Sequence, residues 1–381
     1  MDDKAYKKAA SRSISAGKIP FPLSDTLVEL FKILVTGEEA RFLAIFRKPS
    51  MNLDQVKEKR PDMDEQAIKA MLDTLMDKGV IMGSTSSSGI EVFTLMPPFP
   101  GLVEFTLMKG GTGEKEKRLA VLFERMFEEL SEGTQTNYEN FVPQLRGYPA
   151  PARVVPAEDQ VVDPVEQHAE IAIDQVVEPK DIVLLPQQVS AIIDKEDSIA
   201  VTHCYCRHQK ELSGSPCKRT AERENCLLFG KVATHSIKHG FAKPITKGQA
   251  KALANRAEKD GLVHKIFHAK MDVGKHVEGI CSCCPCCCGI FQLYFRGALP
   301  MHTHTYYLPA VDAAACTGCG TCTERCPMEA IELVEDVASI QADRCIGCGA
   351  CAETCPADAI AMNRSGPRDV FVPPRRVRPV A

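Results

Sequence analysis

Residues 316–327 read Cys316-Thr317-Gly318-Cys319-Gly320-Thr321-Cys322-Thr323-Glu324-Arg325-Cys326-Pro327, and residues 345–356 read Cys345-Ile346-Gly347-Cys348-Gly349-Ala350-Cys351-Ala352-Glu353-Thr354-Cys355-Pro356. The second block repeats the first 29 residues on (316 to 345), and the pair Ala330-Ile331 recurs as Ala359-Ile360. Each half is Cys-x2-Cys-x2-Cys-x3-Cys-Pro. Three thiolates spaced two residues apart can curl around one metal centre while backbone N–H groups point at its sulfurs, and Gly318, Gly320, Gly347 and Gly349 permit the tight wrap. Proline after the fourth cysteine suits a helix start, which predicts short helices over 328–334 and 357–362.

This spacing resembles the bacterial two-[4Fe-4S] ferredoxin domain, and the resemblance spans residues 309–363. In that family the fourth cysteine of each run ligates the other cluster. The resemblance therefore implies one cluster on Cys316, Cys319, Cys322 and Cys355, and a second on Cys345, Cys348, Cys351 and Cys326, in two halves related by a pseudo-twofold axis. It also implies low-potential, one-electron chemistry. Zinc takes Cys-x2-Cys pairs too, but a zinc site has no need of triplets followed by Cys-Pro.

The chain has 381 residues and 18 cysteines, and all 18 lie beyond residue 200. Residues 1–30 lack the apolar stretch of an export signal, and no run is long enough to cross a bilayer, so the expectation is a cytoplasmic protein with reduced thiols, in an anaerobic setting. Ten cysteines lie in a central module, residues 186–300: Cys204, Cys206, Cys217 and Cys226, then Cys281, Cys283, Cys284, Cys286, Cys287 and Cys288. Adjacent residues cannot all point at one ion, so these six must face different ways. The first four are the favoured set for a further [4Fe-4S] cluster, with some of Cys281 to Cys288 ligating a second. The alternative is structural zinc on four thiolates, or on three with His203 or His208. Arg207 beside an anionic cluster would offset its charge. Such cysteine-packed stretches are similar to those of ferredoxin-domain proteins of anaerobes that carry a helical N-terminal domain and a Cys-rich middle.

Upstream, residues 1–22 read as an arm and 23–108 as a winged-helix-like domain. Leu27, Leu30, Phe31 and Leu34 recur at helical spacing, as do Ile68, Met71, Leu72, Leu75 and Met76, and the apolar runs 80–82 and 90–95 flank a Gly/Ser-rich turn. Between residues 61 and 82, Asp62, Asp64, Glu65, Asp73 and Asp77 face only Lys69 and Lys78, and the hairpin carries no positive charge, which argues for protein docking over DNA binding. The overall charge of −4 points the same way. Residues 109–185 read as a helix over 114–130, packed between domains, and a proline-rich extended connector. Pro186 is expected to open a helix through Val189, Ile192 and Ile193, and Thr246 with Gln249 to cap another over 250–258. The tail, 364–381, is basic, proline-rich and extended, suited to an acidic partner.

These elements define a multidomain α+β chain. No Gly-x-Gly-x-x-Gly or P-loop is present, so no dinucleotide or ATP site is expected. The expected function is electron transfer, as a protein or subunit serving a larger flavin- or metal-containing oxidoreductase. Two alternatives stand: a redox-sensing regulator acting through the winged-helix-like domain, and an oxidoreductase whose central cluster binds substrate.

Overall fold

The computed structural model describes residues 3–86, 88–147, 149–160 and 188–373. Most of the connector, Pro186 and the end of the basic tail lie outside them. Residues 1–22, read as an arm, contain α1 (Asp3–Ala16), where Ala5, Tyr6, Ala9 and Ala10 recur on one face and are buried. Small side chains there let α1 lie close on α2 (Asp25–Leu34) and α3 (Gly37–Leu43). Ser24 caps α2 by accepting from the Leu27 N–H, and Thr36 with Glu39 forms a capping box on α3. After β1 (Ser50–Asn52) and α4 (Leu53–Lys59) comes α5 (Glu65–Asp77), then the hairpin β2 (Ile81–Thr85) and β3 (Glu91–Leu95), in an antiparallel sheet of order β1-β3-β2. The two helical stripes expected from the sequence meet in one core with α1.

Two further helices, α6 (Val103–Leu107) and α7 (Glu114–Thr136), lead onward. Leu119, Leu122, Phe123, Met126 and Phe127 bury one side of α7 in the N-terminal core, each worth about 1.5–3 kcal/mol. The same cluster takes in Leu293 and Ala298 from the central module. Glu124, on the opposite flank, pairs with Lys210 at 3.1 Å and with Arg296. α7 is thus bolted to both neighbours.

The remaining elements are α8 (Tyr138–Leu145), β4 (Ala152–Val154), α9 (Val189–Asp194), β5 (Ile199–His203), α10 (Tyr205–Leu212), β6 (Glu224–Phe229), α11 (Gly230–Lys238), β7 (Lys243–Pro244), α12 (Lys247–Lys259), β8 (Val263–His268), β9 (Val277–Cys283), α13 (Gly289–Phe295), β10 (Met301–Val311), α14 (Thr321–Arg325), β11 (Ile331–Val334), β12 (Val337–Ile340), α15 (Ala350–Glu353) and β13 (Ile360–Val372). Eight of these strands form one sheet, in the order β13-β10-β4-β8-β9-β6-β5-β7. β4 comes from the proline-rich connector and runs parallel to β10 and antiparallel to β8, splicing the long antiparallel pair β10/β13, which brackets the cysteine repeat, to the central strands. β13 also takes in the first residues of the basic tail, which is extended as a paired strand. The capping box of Thr246 and Gln249 opens α12.

The helices expected after each Cys-Pro do not form. Glu329 and Asp358 adopt left-handed φ values of 49° and 48°, which stops a right-handed helix. The N–H groups of Ala330 and Ala359, which a helix would aim at the carbonyls of Cys326 and Cys355, donate instead to the sulfurs of those cysteines at 3.2 and 3.3 Å. Ile331 and Ile360 then begin strands, and the short helices α14 and α15 precede the fourth cysteine of each run.

Candidate metal and cluster sites

The C-terminal repeat sorts its eight cysteines into two crossed sets. Cys316, Cys319, Cys322 and Cys355 line one hollow of about 330 Å³, walled by Leu333, Pro356 and Ile360. Cys326 lies instead near Cys345, Cys348 and Cys351 of the other half and acts on all three. Cys319 is exposed, while Cys322 and Cys351 are buried. Burial first, then the neighbouring sulfurs, pushes the Cys351 thiol up to about 12 and Cys348 well above its usual value. A cationic centre is what lets such thiols ionise. N–H donors from Gly347, Ala330 and Ala359 already point at Cys345, Cys326 and Cys355. The donor set fits two iron–sulfur cubes.

Gly347 shows how the second loop is seated. Its φ is +66°, and a Cβ there would fall 2.5 Å from the Tyr307 carbonyl oxygen and against Thr305 Oγ1 on β10. Gly347→Ala is expected to cost at least ~2 kcal/mol, from the left-handed backbone and the clash together, and to speed loss of the neighbouring cluster to a chelator. Gly366→Ala is the control: φ is +75° with nothing within 4 Å, so only the ~1 kcal/mol conformational cost applies. Equal chelation rates in the two variants would contradict this.

The central module divides its ten thiols differently from the grouping read in the sequence. Cys217, in the loop after α10, leaves Cys204, Cys206 and Cys226 and joins Cys284, Cys286 and Cys287, all four sulfurs lying within 4.8 Å of one another. The separations are 3.7 Å from Cys217 to Cys284, 3.8 Å from Cys217 to Cys286 and 3.6 Å from Cys286 to Cys287. A tetrahedron of Zn–S bonds of about 2.3 Å has an edge of about 3.8 Å, so this set fits a single zinc-type ion. His203 and His208 stand apart from it, their rings 5.0 Å from each other.

The other six thiols make a nest. Cys204 follows β5 as the N-cap of α10, and Cys206 lies in the first turn of that helix; Cys226 is on β6, Cys281 and Cys283 are on β9, and Cys288 precedes α13. Leu227 pairs with Ile280, so the antiparallel register sets Cys226 opposite Cys281. Sulfur contacts run from Cys204 to Cys226, on to Cys281, Cys283 and Cys288, and end at Cys206. The run 281–288 thus splits by side: Cys281, Cys283 and Cys288 into the nest, Cys284, Cys286 and Cys287 toward Cys217.

Two buried cations accompany the nest. Arg207 donates to Asn225 Oδ1 and to the Ser282 carbonyl, both at 2.6 Å and both neutral. Burial disfavours its charge, but Cys204, Cys284 and Cys226 outweigh that and raise its pKa. Lys265 is the residue the sequence does not announce. It is fully buried on β8, its Nζ 3.9 Å over the Phe291 ring and 3.8 Å from Met301 Sδ, and among the described residues it makes no ion pair with a carboxylate. A lysine amid Val263 and Ile266 carries no motif; only the sheet register brings it to the thiols.

Within a mixed helix-and-sheet fold, the C-terminal cysteine repeat makes up a ferredoxin-like iron–sulfur domain. Residues 308–356 match the family model of the 4Fe-4S dicluster domain. No curated protein and no solved structure matches the chain. Among the described residues, no helix is long and apolar enough to cross a membrane.

Proposed function

We propose that the chain is an electron-transfer protein or subunit that carries single low-potential electrons between the protein surface and its interior, on behalf of a larger flavin- or metal-containing oxidoreductase. The observation that carries this reading is the pair of crossed cysteine sets, one reaching the surface at Cys319 and the other packed inward with Met328 and Ile346. Electrons enter or leave at the exposed set and pass to the buried one. The eight thiolates hold the two [4Fe-4S] clusters and, with the N–H donors above, tune them; the clusters supply the one-electron chemistry.

A role in DNA binding has less support. The helices and hairpin of residues 23–108 are read as winged-helix-like, but α5 is acidic, its Asp77 accepts from His239 at 2.6 Å, and Lys231 of α11 donates to the Thr85 carbonyl at the end of β2. These contacts commit one side of the unit to the central module, which makes docking within the chain its first use.

The test is an anaerobic redox titration of the full chain followed by electron paramagnetic resonance. The expected result is two one-electron couples from the C-terminal pair at the negative end of the cluster range, with signals broadened by their mutual coupling. Absence of any reversible couple would overturn the reading. One observation favours a second reading, that of an oxidoreductase: an open groove lined by Lys218, Arg219, Arg296 and Glu324 also exposes Cys286 and Cys326 along its lining. Spectral change of the reduced protein on adding disulfides or thioesters would support substrate chemistry there.

A further inference from the structure

We propose that Cys204, Cys206, Cys226, Cys281, Cys283 and Cys288 hold a polynuclear iron–sulfur cluster of their own, separate from a single zinc-type ion on Cys217, Cys284, Cys286 and Cys287. The proposal rests on the electron-transfer reading and extends it, placing a third centre behind the ferredoxin-like pair.

Ligand count comes first. Six thiols are two more than a tetrahedral zinc site or a single cube takes, so the nest offers more donors than one ion can use, and five of the six are buried, with Cys281 partly so. Thiols taken out of water at that density need metal charge to be worth ionising. The distances then separate the two central groups. Among the described residues, the set with Cys217 is the one that converges to single-ion range; the nest does not, and neither do the C-terminal cysteines matched by the 4Fe-4S family model. The nest is instead a chain of pairwise contacts, Cys288 to Cys283 at 3.5 Å among them, spread over six thiols with no set that closes on one ion. An extended donor set of this kind suits a polynuclear centre, which takes one thiolate at each iron corner.

Size agrees. The nest lines a hollow of about 350 Å³, which Cys284 and Cys287 border on one side, against about 330 Å³ for the hollow of Cys316, Cys319, Cys322 and Cys355. Arg207 lines it, and its Nε finds no acceptor among the described residues, a buried cationic N–H awaiting an anion. Lys265, without a carboxylate, supplies a second positive charge on the side of Cys283 and Cys288. Buried cations paired with neutral groups alone would be costly; beside an anionic cluster they are compensated.

Placement gives the centre a role. Cys281, Cys283 and Cys288 share one apolar cluster with Cys326, Cys345 and Cys348, bridged by Phe291, Tyr294, Met328 and Ile346. The third centre therefore adjoins the inner ferredoxin cluster, and the path runs from the surface at Cys319 inward to the nest.

Iron, zinc and Mössbauer spectra of the anaerobically purified full chain test this, together with two variants. The expected wild type carries at least about twelve irons and about one zinc, with four sulfurs at about 2.3 Å around the zinc by X-ray absorption. Cys226→Ser with Cys288→Ser is expected to remove about four irons or more and keep the zinc and both C-terminal clusters; Cys217→Ser with Cys286→Ser is expected to remove the zinc and keep the iron. About eight irons in the wild type would overturn the proposal, as would iron lost with Cys217→Ser/Cys286→Ser in place of zinc. The wild-type count and spectra decide even if the nest variant does not fold. Two intact C-terminal clusters with no third signal would sink this inference alone; loss of their couples would sink the electron-transfer reading.

Discussion

Replacing Cys355 with serine is expected to empty the cluster of Cys316, Cys319 and Cys322, and not the cluster of the triplet that Cys355 follows in sequence. The reason is the exchange of fourth ligands: Cys355 lines the first hollow, and Cys326 stands among Cys345, Cys348 and Cys351. Iron should fall by about four per chain. The surviving reduced cluster should lose the broadening that its neighbour imposes. Cys326→Ser should do the reverse, and because Cys326 sits in the apolar cluster with Phe291 and Tyr294, its loss should also cost more stability. The two variants can be told apart by access. The cluster left in Cys326→Ser has the exposed Cys319 as a ligand and should yield quickly to a hydrophilic chelator, whereas the one left in Cys355→Ser is shielded. If Cys355→Ser released the buried cluster instead, each half would ligate its own and the crossed assignment would be wrong.

The 29-residue repeat (316 to 345) made the eight C-terminal cysteines legible as one set, and the exchange of fourth ligands is what the resemblance to ferredoxins implies. The two apolar stripes, Leu27 to Leu34 and Ile68 to Met76, were legible as well, since a helix face in water must find a core. The capping box of Thr246 and Gln249 is local chemistry and needed no tertiary information. What failed to read through was whatever depends on a partner far along the chain. The helices expected after each Cys-Pro gave way because the sulfurs of Cys326 and Cys355 compete for the N–H groups that a helix would use. α1 carries only Tyr6 and Ile14 as large apolar side chains, and its signal lies in the Ala5/Ala9 and Tyr6/Ala10 spacing. β4 is three residues long and earns its place only between β8 and β10. Crowding in 281–288 showed that thiols must face apart, but which of them join Cys217 depends on how β9 turns into α13. Lys265 had no sequence signal at all.

A different link, between the N-terminal half and the nest, predicts how stability changes with pH. Glu104 on α6 is buried and accepts from the Gly101 N–H at 2.6 Å. Burial pushes its carboxyl up to about 7, despite the Gly101 donor and a hydrogen bond with Tyr205, the residue between Cys204 and Cys206. The unfolded chain titrates near the ordinary carboxyl value of 4.5. Below that, both states hold the proton and Glu104 costs nothing. As pH rises from about 4.5 to about 7 the unfolded state ionises while the folded state does not, so stability drains away, by up to about 3 kcal/mol once both are charged. Glu104→Gln keeps an oxygen to accept from Gly101 and has no proton to lose. The variant should therefore match the wild type near pH 5 and melt clearly higher near pH 8, at a fixed scan rate and with clusters intact. Cluster loss makes unfolding irreversible, so the comparison is of melting temperatures under one protocol, not of equilibrium constants. A parallel fall of both proteins with pH would mean that Glu104 is already ionised in the fold, held by Gly101 and Tyr205 against its burial. A wild-type fall that the variant lacks would place a titrating carboxyl against Tyr205, one side chain away from the nest.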